Sequence, residues 1–382
     1  MKYISIIALF LVAAICTSTT HAQSTAEEFF KQSFERLKDR DVVGALDALD
    51  KSIKLKPDFA RAYVQRAKLI MLKGNLDGAL DDLNKALLID PELSYVYAER
   101  GRVRMMKNDV KGALGDFDNA IGRGYRSDEI YSGRAHLKMM LQDFDGAIRD
   151  FDAAVSMNQE RISHAVGRAD ARSMAGNDDG AMADYTSVIE KFEQDELDRI
   201  KAGKPSRVAP AMDLMSPIIK GTESASAKEK GQTTRMDAVV TMRSNPSRPM
   251  TPEQMEYLPN VSGAYMNRGL LYSKRGDAAA ALADLNKAIE INPSDFAAYY
   301  SRGKERQKRG KLDEALNDFN KSIQLRPLAS AHLERGVTLV LLGRDGEAEG
   351  DFDEALKMEP RMRAAVETRR AAAKKETNQK SP

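Results

Sequence analysis

The sequence predicts an all-α fold, a solenoid of about eight helical hairpins interrupted once by a long insertion. Three observations predict it. Alanine recurs every 34 residues at Ala45, Ala79, Ala113, Ala147 and Ala181, and the frame resumes at Ala281, Ala315 and Ala348. Around each alanine stand a large apolar residue four positions on (Leu49, Leu83, Phe117, Phe151, Tyr185, Leu285, Phe319, Phe352) and a small residue twelve before (Ser33, Ala67, Gly101, Ala135, Ala169, Gly269, Gly303, Gly336). A further small residue often follows three later, as at Ala86 and Ala120, so that spacings of three, four and seven keep one face of a helix apolar. Finally, Gly74, Gly176, Gly276, Gly310 and Gly343 fall between the two halves, and Pro57, Pro91, Pro293, Pro327 and Pro360 follow the second. Glycine there ends the first helix in a left-handed cap, and proline stops the next.

The elements follow in chain order. Lys2, the uncharged run from Ile4 to Ile15, and small residues at Thr20 and Ala22 predict a secretory signal over residues 1–22, cleaved after Ala22. The apolar run is about half of the roughly 20 residues that a membrane span needs, so no span is expected in the mature chain. An uncleaved anchor is the alternative; lipidation at Cys16 is disfavoured by Ile15, where a small residue is expected. An exported protein follows, periplasmic or secreted. Its one cysteine leaves with the signal, and folding outside the cytosol then cannot depend on disulfides.

Five repeats occupy residues 26–190 and three occupy 262–360. An aromatic residue commonly precedes the first small position by four, at Phe29, Tyr63, Tyr97, Tyr131, Tyr265 and Tyr299. The pattern resembles the tetratricopeptide repeat (TPR) family. The resemblance implies a right-handed superhelix of helix-turn-helix units whose first helices line a concave groove, where protein or peptide segments bind. Tyr125 and Gln159 replace the terminal proline in the third and fourth copies, predicting wider turns there, and the eighth copy is one residue short.

Between Ala181 and Ala281 the frame slips by 66 residues, and seven of the 13 prolines lie in that stretch. Residues 191–261 divide into an acidic extension of the fifth copy's second helix (Glu193–Arg199), a linker at Gly221–Thr234 whose composition predicts disorder, and a short helix opening at Thr251. After Pro360, residues 361–382 read as a polar capping helix and tail. Its seven basic and two acidic residues leave contact with anionic lipid or nucleic acid as an alternative.

Arginine stands one residue before the small position in seven copies, and aspartate one before the large apolar position in the same seven. The first copy lacks both, carrying Gln32 and Ala48. Joint presence and joint absence predict structural pairs within each repeat: Arg66–Asp82, Arg100–Asp116, Arg134–Asp150, Arg168–Asp184, Arg268–Asp284, Arg302–Asp318 and Arg335–Asp351. Pairing with the preceding repeat would leave Arg66 opposite Ala48.

Catalytic chemistry is hard to find. His136, His164 and His332 are too dispersed for the closely spaced ligand pairs of common zinc motifs, and no phosphate-cradling loop, nucleophile elbow or H-E-x-x-H occurs. His332 takes the aromatic position of its repeat, where packing is the expected use. A net charge of +2, 6% aromatics and no tryptophan give no global field or stacking platform for nucleic acid. The sequence therefore predicts a non-catalytic scaffold with no cofactor and no metal, binding protein or peptide partners; an accessory enzyme with its site in 191–261 is the alternative. By the resemblance, the groove candidates are Gln65, Lys68, Tyr95, Glu99, Arg102, Glu129, Ser132, Gly133, His136, Val166, Gly167 and Asp170. Phe30, Phe34, Met266 and Leu270 stand where the family's carboxylate-clamp subgroup needs lysine and asparagine, so that ligand is not predicted. Gly133 and Gly167 either admit a ligand backbone or allow close helix packing. Met71, Met105, Met106, Met139, Met140 and Met174 form a stripe, with core packing the favoured use and an adaptable binding strip the alternative. The insertion's own methionines, Met212, Met215, Met236, Met242, Met250 and Met255, raise the expectation that it folds over that stripe.

Overall fold

The computed structural model describes residues 25–204, 206–208 and 252–380. The signal segment 1–22, the linker Gly221–Thr234, Thr251 and all but Met255 of the insertion's methionines lie outside them. Among the described residues every regular element is helical. The first helices of successive copies are α1 (25–38), α3 (Ala60–Leu72), α5 (Ser94–Met106), α7 (Asp128–Met140), α9 (Ile162–Met174), α11 (Pro252–Lys274), α13 (Phe296–Lys308) and α15 (Ala329–Leu341). The second helices are α2 (Val42–Leu55), α4 (Leu76–Ile89), α6 (Val110–Gly122), α8 (Phe144–Met157), α10 (Asp178–Lys201), α12 (Ala278–Ile291), α14 (Leu312–Leu325) and α16 (Asp345–Met358). A 3-10 turn, Pro360–Met362, leads into α17 (Arg363–Lys380).

Each hairpin is built as the pattern requires. Ala79, Ala113, Ala147, Ala281, Ala315 and Ala348 are fully buried, and Phe117, Phe151, Tyr185 and Phe319 fill the space that the small residues of the facing helix leave. A Cβ added to Gly101 would come within 2.9 Å of Phe117, and one added to Gly303 within 2.9 Å of Phe319. Six of the eight second helices open on a side-chain cap: Asp41, Asn75, Asp109, Asp143, Asn177 and Asp277 each accept from the backbone N–H three residues on. First helices end in a left-handed residue. The five predicted glycines serve there, and in the copies without one the place is taken by Arg40, Asn108 and Gln142 at φ of 60 to 62°.

Two of the expected turns and one helix differ from the sequence reading. The third copy's turn is closed rather than loose, because Gly124 adopts φ +87° and Tyr125 N–H donates to Ala120 O at 2.9 Å. In the fourth, the Asn158 amide donates to Asp128 at 3.1 Å and ties the turn to α7. No separate short helix opens the sixth copy: α11 is continuous over 23 residues with Pro259 inside it.

The chain forms two compact units, Met1–Gln159 and Glu160–Pro382. The division falls after the fourth copy, one copy before the insertion. The reason is the pairing of α10 with α11. Both are extended, to 24 and 23 residues, and their extra turns share one core of Val188, Ile189, Phe192, Leu258, Val261 and Tyr265. The Tyr265 hydroxyl donates to Glu193 at 2.7 Å. Buried Glu196 accepts from the Ser206 hydroxyl at 2.5 Å and the Arg207 N–H at 3.0 Å, so the chain leaving α10 is tied back onto it. The fifth copy thus stacks directly on the sixth.

Candidate functional site

The predicted arginine–aspartate positions form a repeated frame. In the fourth copy Arg134 Nε and Nη2 donate to the two carboxylate oxygens of Asp150 at 2.8 and 2.6 Å. The same bidentate pairing joins Arg66 to Asp82, Arg100 to Asp116, Arg168 to Asp184, Arg268 to Asp284, Arg302 to Asp318 and Arg335 to Asp351. The aspartates are buried and the arginines half-buried, and several arginines lie about one tyrosine ring away from Tyr63, Tyr97, Tyr131, Tyr265 and Tyr299, whose faces carry partial negative charge. Hydrogen bonding to Asp82 raises the Arg66 pKa; for Arg134, burial opposes the charge but bonds to Asp150 and Asp118 outweigh it.

Sequence reasoning missed the third arm. Six of the arginines also reach the second helix of the copy before: Arg66 to Asp50 at 2.7 Å, Arg100 to Asn84 at 2.9 Å and Arg134 to Asp118 at 2.7 Å. In the other unit Arg268 meets Thr186 at 3.3 Å, Arg302 meets Asn286 and Arg335 meets Asn320, both at 2.8 Å. The guanidinium therefore bonds the aspartate of its own copy, the expected pair, and in these six copies also a different polar side chain of the copy before. The signal was a polar acceptor immediately after the large apolar residue, and Asp50 supplies it even in the first copy. A second cation four residues on strengthens some copies, as Arg104 on Asp116, Lys138 on Asp150 and Arg306 on Asp318.

The exposed side of the first helices carries a different set. In the unit formed by residues 25–159, Lys68 of α3 pairs with Glu99 of α5 at 3.0 Å, Glu99 lies 3.8 Å from Arg102, and Arg102 pairs with Glu129 of α7 at 3.2 Å. Four of the groove candidates thus form one ladder across three successive first helices. Tyr95 stands beside it, 6.4 Å from the ring of Tyr125, and burial raises its hydroxyl pKa. Gln65 is half-buried on α3. His136 is exposed, its Nδ1 is 2.7 Å from the Ser132 carbonyl, and its ring meets Phe151 edge-on at 5.1 Å.

Other candidates make contacts within the fold. A Cβ on Gly133 would lie 3.2 Å from buried Phe117, so this glycine serves close helix packing. In the second unit, Val166 and Gly167 are buried, Val166 inside the core around Tyr185 and Ile189, because α9 turns that face inward. Asp170 is held by the Tyr185 hydroxyl and by the Asn267 amide at 2.9 Å. Burial, and then the charge of Asp170, raises the Tyr185 pKa. His332 is more than packing, since its Nδ1 meets Asp351 at 2.9 Å. The methionine stripe divides: Met71 is half-buried against the core and Met139 is half-buried, whereas Met106 and Met140, with Leu72 at the equivalent place on α3, are 58, 59 and 77% exposed, and Met105 and Met174 are exposed too.

Family models described as tetratricopeptide repeat match residues 60–93, 262–295 and 300–365. The chain carries tetratricopeptide repeats. Among solved structures, a tetratricopeptide repeat protein from Parabacteroides merdae aligns over 87% of this chain and 99% of its own, at 16% identity and TM-score 0.51, which shows a shared TPR fold. The C-terminal part of a TPR repeat-containing protein from Cytophaga hutchinsonii aligns over 80% of this chain and 98% of its own, at 12% identity and TM-score 0.46. MamA from Desulfovibrio magneticus aligns over 44% and 94%, at 16% identity and TM-score 0.41. No curated protein sequence matches the chain. Among the described residues, no helix is long and apolar enough to cross a membrane, and no three His, Cys, Asp or Glu side chains come together as a metal site requires.

Proposed function

We propose that this protein is a non-catalytic scaffold of the cell envelope that binds segments of partner proteins on the first-helix face of its TPR units. The ladder Lys68–Glu99–Arg102–Glu129 carries the reading. Its members stand outside the arginine–aspartate frame, their ion pairs are partly exposed, and exposed pairs contribute roughly 0–1 kcal/mol each, so a partner can exchange them at little cost to the fold. Tyr95 and His136 add aromatic surface beside the charges. The alternative, a site within 191–261, draws no support from Phe192, Leu258 and Val261 of that segment, which are used in helix packing.

Export rests on the sequence of residues 1–22. In the source organism the mature chain is expected to begin at Gln23; recovery of an intact Met1 from cells would remove the envelope from this reading. The scaffold itself is tested by affinity capture from envelope extracts. The wild-type chain should retain a partner that Glu99→Lys and Arg102→Glu variants lose while keeping wild-type helical circular dichroism. Equal retention by wild type and both variants would rule out this face.

A further inference from the structure

The C-terminal helix does not take the place of another repeat. First helices pack on their own second helix and also on that of the copy before, as α15 does on α16 and α14, whereas α17 lies along α15 and reaches α16 chiefly through its charged side chains. The cause is legible in α15. Val337 and Val340 stand where the second and third copies carry Lys68, Met71, Arg102 and Met105. Those counterparts are half-buried or exposed; Val337 and Val340 are buried in one apolar cluster with Leu333, Val366 and Ala373.

The charges follow the same logic. Glu334 occupies the place of Glu99 in the third copy, two residues before the small position. In unit one Glu99 is the counter-ion of Lys68; here Glu334 accepts from Arg369 of α17 at 2.5 Å. Arg370 pairs with Glu349 and lies 5.7 Å from the Phe352 ring, and Lys374 pairs with Asp345 at 3.1 Å. The α17 helix is held narrowly. Only Val366 and Ala373 of its apolar side chains are buried, at 3 and 4% exposure, and its ion pairs are half-exposed and therefore open to screening by salt.

We propose that the first-helix face of the eighth copy is a docking site for a basic, alanine-rich helix, filled in cis by α17 and in trans by a partner helix that displaces it. The partner half of this proposal rests on the scaffold reading. The recognition chemistry is that of α17: small apolar residues at i and i+7, as Val366 and Ala373, and arginines at i+3 and i+4, as Arg369 and Arg370. The seated helix shows that the face accepts this chemistry, and Glu334 supplies the complementary charge.

Two measurements on the full chain test it. A synthetic peptide spanning residues 363–380 should bind the variant Arg369→Ala/Arg370→Ala/Lys374→Ala at least about tenfold more tightly than wild type, because occupancy in cis reduces apparent affinity in trans. Adding Glu334→Lys should abolish that binding. Peptide binding equal in wild type and the triple variant, or absent from both, overturns the proposal. In wild type, hydrogen exchange should release α17 amides before those of α15, and faster at roughly 0.5 M than at 0.05 M salt; exchange of α17 together with α15 at both salts overturns it without any variant. If envelope capture yields a partner while the peptide fails to bind, the docking proposal falls and the scaffold stands. If the peptide binds and no partner is captured, the cis site stands and the scaffold falls.

Discussion

Arg134 shows how one residue holds two repeats together. Its guanidinium clamps buried Asp150 within its own copy and reaches exposed Asp118 in the copy before. The two arms differ in worth. Asp150→Leu strands both Arg134 and Lys138 and should cost about 3 kcal/mol in urea unfolding, whereas Asp118→Ala should cost less than about 1 kcal/mol. The double variant Arg134→Met/Asp150→Leu should lose at least about 1 kcal/mol less than the summed single losses; additive losses would refute the clamp. Tyrosines titrate with a defined sign. Burial, aided by the charge of Asp195, pushes the Tyr257 hydroxyl up to about 12, while an unfolded tyrosine titrates near about 10. The folded state therefore holds this proton more tightly, and stability is intact below about pH 10 and falls as pH rises toward 12. Tyr257→Phe should flatten that alkaline loss, measured as the urea midpoint against pH. The frame aspartates were legible because they recur with their arginines. The burial of Val166 was not, because only the packing of α9 decides which of its faces is inward.

At the scale of the helix, the punctuation was readable and its exceptions are instructive. A left-handed residue ends the first helix whether or not the sequence supplies glycine, so Gln142 adopts φ 62°. A side chain in that conformation costs roughly 1–2 kcal/mol. Gln142→Gly should then raise stability by about 1 kcal/mol, seen as a higher thermal midpoint, since no side-chain hydrogen bond of Gln142 is shown to be lost. A lower midpoint would mean that the turn is held by something other than its backbone. The proline at position 259 was read as part of a loop-like insertion. It is tolerated because the flanking turns of α11 are buried against α10, and tertiary packing outweighs local propensity. The methionines divide, Met71 packing on the core while Met106, Met140 and Met174 are exposed, and helical spacing alone does not distinguish the two uses.

At the scale of the molecule, the insertion lengthens the chain without breaking the stack. Arg268 meets Thr186 across it as Arg100 meets Asn84 across an ordinary turn. Glu196 ties the departing chain down, so Glu196→Ala should cost about 1–3 kcal/mol, leaving the Ser206 hydroxyl and Arg207 N–H without their acceptor. It should also speed trypsin cleavage after Arg207, whose N–H the tie holds. Unchanged cleavage would show that the tie does not restrain the chain.

The sequence by itself determined the all-helical class, the 34-residue period, the helix boundaries and the frame of arginines and aspartates. All of these are local or strictly periodic, and spacing on a helix suffices to read them. Only the tertiary structure decided that six of the frame arginines span two repeats, that α10 and α11 close over the insertion, and that α17 runs along α15 with its ion pairs divided between α15 and α16. Those outcomes depend on which buried face finds which partner across the chain, and periodicity carries no record of that choice.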